Sequence, residues 1–315
     1  AGGCSSVPAA PVPRAELWAF TAPWDARSAA SAARHAAALD VVVSGWIALD
    51  SATARPVVLY PDSLPARLPP GARAYALVTS FLGDRFHPEV VRALAADPAL
   101  RGGVAGELAS LLSRGSYRGA VLDLESMSPS DLDALVTVVR ALRDSLHAHA
   151  IPRVSLAVPA GDTLGYPSAP LLNAADELVV MLYDQHWANS APGPIAAPDW
   201  ARRLLQIRVS DVGGDRVIAA LPVYGYAWRA GASDVVGFAD AQRLAGERGL
   251  LLTRDPSSAT LHATTTPPAE RWETWVGDAV LLDSLIKDAR PFGVRRFALW
   301  RLGLEDPLIW TTLAR

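Results

Sequence analysis

Residues 117–126 read Tyr117-Arg118-Gly119-Ala120-Val121-Leu122-Asp123-Leu124-Glu125-Ser126. In an extended chain successive side chains point to opposite faces, so Val121, Asp123 and Glu125 share one side and Ala120, Leu122 and Leu124 the other. The apolar side suits a covering of helices, which leaves the acids facing the interior of the sheet. Carboxyls at i and i+2 stand roughly 7 Å apart at Cβ. Where water is scarce, like charges so placed disfavour double ionisation, and one group is expected to keep its proton near neutral pH. A protonated carboxyl beside an ionised one is what a general acid requires. From these residues alone, a strand end that meets water or a metal ion is an equal reading.

Working outward, the same kind of short apolar run recurs at Leu17–Ala22, Val41–Ile47, Ala74–Ser80, Arg153–Val158, Glu177–Tyr183, Arg216–Val223 and Arg296–Trp300, with Gly119–Leu124 fourth in order. Helical patterns lie between most of them, at Ala26–Ala38, Glu89–Leu112, Ser130–Ala148, Trp200–Val209 and Gly277–Arg290. Ser128-Pro129-Ser130-Asp131 carries a helix N-cap followed by proline in the first turn. Pro61–Gly71 is too rich in proline for a long helix, and Leu164–Ala175 supports at most a short turn. Strand and helix alternating in this way predict a parallel sheet, and the number of runs predicts a closed (β/α)8 barrel over residues 14–315. No Gly-x-Gly-x-x-Gly follows the first run and no Walker-type loop occurs, so nucleotide binding loses support. Between the seventh strand and its helix, residues 230–276 predict a small α+β insertion. It holds a helix pattern at Ala239–Arg248 and strand-like pieces ending in Trp272–Val276. Residues 1–13, with Pro8, Pro11 and Pro13, predict a disordered tether.

The chain has 315 residues, 50% hydrophobic and 19% charged, enough for a full core. A net charge of -3 leaves no general basic footprint, so nucleic acid is not the expected partner. Cys4 is the single cysteine, which excludes an internal disulfide and Cys-based zinc sites. No apolar run reaches the roughly 18 residues needed to span a bilayer. Ten tryptophans are many for this length, and some are expected to line a binding surface while others pack the core.

Barrel chemistry sits at the carboxyl ends of the strands. The sixth run ends Tyr183-Asp184-Gln185-His186-Trp187, the seventh leads into Tyr224, Tyr226 and Trp228, and the eighth ends in Trp300-Arg301. The first ends Trp24-Asp25, and the second contains Trp46. Flat apolar rings with polar edges suit pyranoses, whose faces carry C–H groups and whose rims carry hydroxyls. His186 by itself reads as a structural hydrogen-bonder more readily than as a catalyst. His35, His147 and His149 fall on helical patterns and are expected to be solvated.

Gly119–Glu125, Met181–Asp184 and Trp300 together resemble the signatures of the family 18 glycoside hydrolases: the acidic strand-four motif, the Met-x-Tyr-Asp of strand six and the Trp of strand eight. Tyr183–Pro194 and Leu299–Trp310 are similar to the branch of spore-cortex and cell-wall enzymes and of chitinase-like domains fused to deacetylases. The resemblance implies a retaining hydrolase of an N-acetylated glycan such as chitin oligomers, peptidoglycan or poly-GlcNAc. It implies that the substrate's own 2-acetamido oxygen is the nucleophile. Glu125 would then be the acid and base, Asp123 would steady the acetamido N–H, and Tyr183 would hold the acetamido oxygen. Asp184 would orient hydroxyls and Trp300 would floor the site. Trp24, Trp46, His186, Trp187, Tyr224 and Trp228 complete the expected substrate-binding set. No metal or organic cofactor is implied, and a monomer is expected.

The family's strand-four motif carries acids at two further positions, occupied here by Arg118 and Val121. Val121 removes the polar partner that sits behind Asp123, which implies reduced or specialised activity. It also favours an alternative, a glycan-binding module without turnover. A third reading takes Asp123, Glu125, Asp184 and His186 as ligands of a metal-dependent barrel hydrolase. Ala1-Gly2-Gly3-Cys4-Ser5-Ser6 resembles a bacterial lipid-attachment site. That resemblance implies a secreted or envelope protein tethered to the membrane through a lipidated Cys4; an incidental cysteine is the alternative reading.

Overall fold

A computed structural model describes residues 14–266 and 270–313. Residues 1–13, the expected tether with Cys4, lie outside the described residues. The barrel strands are β1 (Glu16–Phe20), β2 (Val41–Leu49), β3 (Arg73–Thr79), β4 (Gly119–Asp123), β5 (Val154–Pro159), β6 (Glu177–Met181), β7 (Val217–Pro222) and β8 (Arg296–Trp300). Each pairs in parallel with the next, and β8 returns to β1, which also pairs with β2, so the sheet closes. The predicted (β/α)8 barrel is thus the observed fold. Closure leaves no free edge among these strands; Pro56–Val58 adds an antiparallel piece beside the upper half of β2.

The helices are α1 (Ala26–His35), α2 (Pro88–Ala96), α3 (Pro98–Arg114), α4 (Leu132–Ala148), α5 (Ser168–Leu172), α6 (Pro198–Val209), α8 (Ala279–Ala289) and α9 (Ile309–Leu313) around the barrel, with α7 (Phe238–Gly246) in the insertion. The single helix expected over Glu89–Leu112 is two helices. Asp97 is extended and accepts from the backbone N–H groups of Ala99 and Leu100, and Pro98 opens the next helix, so the Asp-Pro pair ends one helix and caps another. Pro61–Gly71 forms only a short turn at Pro65–Arg67, as its prolines require. The expected cap opens the short turn Pro129–Asp131 that leads into α4, where Ser128 and Asp131 form a reciprocal capping box. His35 is not simply solvated. Its ring stacks on Trp310 with centroids 4.1 Å apart. Among the described residues no helix is long and apolar enough to cross a membrane.

The α+β insertion lies between β7 and α8. Its five-stranded sheet runs Ala232–Val236, Gly225–Arg229, Trp272–Val276, Leu261–Thr264, Thr253–Arg254, with α7 against it. The aromatic stretch Gly225–Arg229 therefore belongs to this lobe and not to the end of β7.

Inside the barrel, side chains form layers set by strand register. Tyr75 lies level with Gly119, Leu77 with Val121, and Thr79 with Asp123. The middle layers are apolar and buried, with Trp18, Val43, Leu77, Val121, Val179, Ile218 and Ala298. A register shift between Val43 and Gly45 breaks the alternation of β2, so that Trp46 joins the interior beside Val41 and Val43. The end opposite the site is closed by charges: Glu177 pairs with Arg153 and Arg296, and Glu16 with Arg73, Arg153 and Arg296. Burial alone would raise the Glu16 carboxyl, but Arg153 and Arg73 overcome it and hold it low.

Gly119 has no room for a side chain, because a Cβ there would overlap the Tyr75 ring. Both lie in one packed layer, and overpacking of this sort costs about 1–3 kcal/mol. Gly119→Ala is therefore expected to lower unfolding stability by about that amount in urea titration; a loss below about 0.5 kcal/mol would mean the layer relaxes freely.

Candidate active site

The site is built at the carboxyl ends of the strands. Asp123 ends β4, and Glu125 follows on the segment that leaves the sheet. The apolar side of the same stretch, Ala120, Leu122 and Leu124, is buried in the outer core under the helices, so both acids face the barrel mouth. The two carboxyls act on each other, in the sense that favours the proton on Glu125 and the charge on Asp123. Burial raises Glu125 most, and the charges of Asp123 and then Asp184 raise it further. Burial raises Asp123 too, but hydrogen bonds from Thr79 and Glu125 hold it below its neighbour. The two acids thus differ in proton affinity for identifiable reasons.

Thr79 is a partner that sequence reading missed. Its hydroxyl donates to Asp123 Oδ2 at 3.0 Å and accepts from the Phe81 N–H at 2.9 Å, so its orientation is locked. Val121 is fully buried beneath Asp123 and supplies nothing polar. The support expected from within β4 comes instead from the neighbouring strand. The available signal was a hydroxyl residue near the end of the third apolar run, in inward register.

Tyr183 and Asp184 follow β6. The Tyr183 phenol is held well above its ordinary value, by burial first and then by the charges of Glu125, Asp123 and Asp184. It stays a neutral hydrogen-bond donor. Asp184 adopts a left-handed backbone, with φ 58°. Tyr224 donates to its Oδ1, and Tyr226, a rim aromatic outside the expected substrate-binding set, does so at 3.3 Å. Surrounding protein raises Asp184, against the pull of these two phenols.

Trp300 lies across from Tyr183, near-parallel, with centroids 6.1 Å apart. From Trp300 the rings continue to Trp46 at 6.4 Å, from Trp46 to Trp24 at 4.7 Å, and from Trp24 to Tyr60 at 6.0 Å. The Trp46 indole is tied to Thr21 O at 3.0 Å. Trp24 is 52% exposed, with the Arg301 guanidinium 5.6 Å from its ring. The structure therefore brings Asp123, Glu125, Tyr183, Asp184, Trp300, Trp46 and Trp24 to one mouth.

The remaining expected residues are placed differently. Tyr224 is buried against Asp184, and Trp228 is buried beside Tyr226 on the lobe strand Gly225–Arg229. Trp187 stands exposed on the loop after β6, whose turn is closed by Ser190. His186 Nδ1 pairs with the Ala191 carbonyl at 2.9 Å, and its ring fills the space beside Gly193 where a Cβ would collide. It organises the loop. Among the described residues no group of three or more His, Cys, Asp or Glu is arranged to hold a metal ion, so Asp123, Glu125, Asp184 and His186 do not converge as a ligand set.

No protein-family model matches the chain. YdhD of Bacillus subtilis, to which a sporulation-specific glycosylase role is attributed, is 30% identical over 159 residues, 49% of this chain and 38% of YdhD. The chain spans well under half the length of the curated relatives it matches. Among solved structures, the spore cortex-lytic enzyme SleL of Bacillus megaterium superposes with a TM-score of 0.86 at 16% identity, covering 98% of this chain and 75% of SleL. The family 18 chitinase of Cycas revoluta superposes with a TM-score of 0.81 at 15% identity, covering 95% of this chain and 98% of that one. These likenesses show a fold shared with the family 18 chitinase and SleL, a (β/α)8 barrel. The fold implied by the resemblance carried by Gly119–Glu125, Met181–Asp184 and Trp300 is borne out.

A raised Glu125 has a consequence for stability. Between the ordinary glutamate value and the raised one, the folded chain holds a proton that the unfolded chain has released, so stability falls as pH rises through that window. Glu125→Gln removes the term. Its melting temperature is expected to match that of the wild type near pH 4 and to exceed it increasingly toward about pH 8. A gap that stays constant with pH would show that Glu125 titrates normally.

Proposed function

We propose that this chain is a retaining glycoside hydrolase acting on an N-acetylglucosamine-containing glycan by substrate-assisted catalysis. The observation that carries the reading is the pair of unlike acids at one mouth with Tyr183 and Trp300. Glu125 is protonated at neutral pH and can donate to the glycosidic oxygen. Asp123, ionised and steadied by Thr79, can accept the acetamido N–H of the sugar. The neutral Tyr183 phenol can donate to the acetamido oxygen and aim it at the anomeric carbon. As that oxygen forms its bond to the anomeric carbon, the bond to the leaving oxygen breaks and takes up the Glu125 proton. Glu125, now ionised, takes a proton from water as the water opens the cyclic intermediate, so the starting configuration returns. Asp184 and the rings of Trp300, Trp46 and Trp24 supply hydroxyl contacts and flat faces for neighbouring sugars.

The class of substrate is supported by what is similar. The Cycas chitinase has been solved with allosamidin and with (GlcNAc)3, and SleL is named a spore cortex-lytic enzyme. A polymer of the cell wall or its surroundings fits an envelope or secreted location.

On an aryl chitobioside or a muropeptide, Glu125→Gln is expected to lose activity by about 10²–10⁴-fold. Equal product release by the two proteins would refute the assignment. Activity should follow a bell in pH, falling at low pH as Asp123 gains a proton and at high pH as the pair loses the one on Glu125. Thr79→Val removes a bond that favours ionised Asp123, so the acid limb is expected to move to higher pH; an unmoved limb would show that Thr79 does not act on the pair.

One observation favours a second reading. Val121 puts an apolar methyl pair under Asp123, which limits its power to reorient or share a proton. Tight binding of GlcNAc oligomers with no Glu125-dependent turnover would identify a glycan-binding module.

A further inference from the structure

Beyond the mouth, Glu125 rests on a short piece of chain with little regular support. The last ladder pair of β4 with β5 is Leu122↔Leu156. Past it the backbone turns left-handed at Ser126, with φ 63°, a conformation that non-glycine residues hold only when their surroundings over-determine it. Those surroundings are identifiable. Tyr166, 1% exposed and on the connection between β5 and β6, donates its phenolic O–H to Leu124 O at 2.9 Å. The Tyr166 hydroxyl oxygen in turn accepts from the Met127 N–H at 3.1 Å. One buried hydroxyl therefore bridges the residues on either side of Glu125-Ser126. Gly165, its neighbour, lies so close to the Met127 carbonyl that a Cβ would stand 3.0 Å from it.

Tyr166 is itself held by an unusual group. Arg208, at the end of α6, is fully buried, and its guanidinium meets backbone carbonyls rather than a carboxylate. Its Nε donates to Ala160 O at 3.0 Å, one terminal nitrogen to Asp162 O at 2.7 Å, and the fork also reaches Pro159 O and Tyr166 O. Burial pushes this guanidinium down to about 10, against the pull of Asp162. A cation kept in such a place, at a desolvation cost, fixes the loop at Pro159–Tyr166 on several carbonyls at once. A generic core position would be filled more cheaply by an apolar side chain.

We propose that Tyr166 and Arg208 are positioning residues for Glu125: Arg208 locks the loop after β5, and the Tyr166 hydroxyl bridges Leu124 and Met127 so that the Glu125 carboxyl stays against Asp123 in the mouth. Neither touches the reacting atoms. The inference rests on the hydrolase reading for its kinetic arm, and its titration arm stands without it.

The test uses the full chain as wild type, Tyr166→Phe, Arg208→Lys and the double variant. Tyr166→Phe deletes a single oxygen, and Arg208→Lys keeps the charge while losing the fork, so both are expected to fold, as circular dichroism would verify. On an aryl chitobioside, each is expected to lower kcat about 10–100-fold with KM within about twofold, the pattern of a misplaced catalytic group. Carbon-13 NMR titration of the Glu125 carboxyl, assigned with Glu125→Gln, is expected to show its raised value falling toward that of an ordinary glutamate as the carboxyl swings away from Asp123. The double variant should be no worse than the more damaged single one, because both act through one segment. A lower melting temperature with kcat and the Glu125 titration both unchanged would overturn the proposal, leaving a purely structural role, and so would fully additive losses. If the wild type shows no Glu125-dependent turnover, the hydrolase reading falls, and the NMR titration alone then decides the positioning role.

Discussion

Two buried carboxyl groups of unlike proton affinity at the end of a barrel strand constrain the rest of this molecule. Such a pair is stable only if one group is helped to ionise and the other is denied water. Thr79 meets the first need with a hydroxyl locked by the Phe81 N–H. The second is met by burial and by the charges of Asp123 and Asp184. The same environment keeps Tyr183 neutral, so three groups of different acidity stand in one mouth as acceptor, acid and donor. Their roles follow from surroundings more than from residue type.

The barrel separates this chemistry from its own stability. At the end away from the mouth, Glu16, Glu177 and three arginines form a half-buried ion-pair network in which each carboxylate meets more than one cation. Between that plug and the acids lie apolar layers, among them Leu77 and Val121. Those layers keep bulk water from reaching the acids from below. Val121 belongs to this insulation: what it takes away from Asp123 as a partner it adds as a dry floor, and Thr79 supplies the partner from the side.

Much of the fold was legible because closure of a parallel sheet is written locally. Short apolar runs separated by helical periodicity mark β1 to β8, and Ser128-Pro129 marks the start of the turn into α4. The misreadings had local physical causes as well. Asp97-Pro98 interrupts an apolar periodicity that otherwise continues through α2 and α3. Gly225–Arg229 was attached to β7 because its aromatic content suits a strand end, whereas its pairing with Trp272–Val276 and Ala232–Val236 is a long-range fact. Trp46 reaches the interior only because β2 carries an irregularity that alternation does not foresee.

For the site, the order of residues along the chain by itself determined which groups lie on one face of one strand: Asp123 and Glu125 together, with Tyr183-Asp184 and Trp300 at the ends of their own strands. That much follows from the two-residue period of extended chain and from the rule that barrel chemistry gathers at strand ends. Tertiary structure alone decided who stands beside whom across strands. It put Thr79 next to Asp123, Tyr224 and Tyr226 on Asp184, and Tyr166 under the Glu125 segment, and it turned His186 into a loop brace. Those contacts depend on register, on the lobe's pairing and on the path of connections, which are set by packing between segments far apart in the chain and leave no periodic trace within either one.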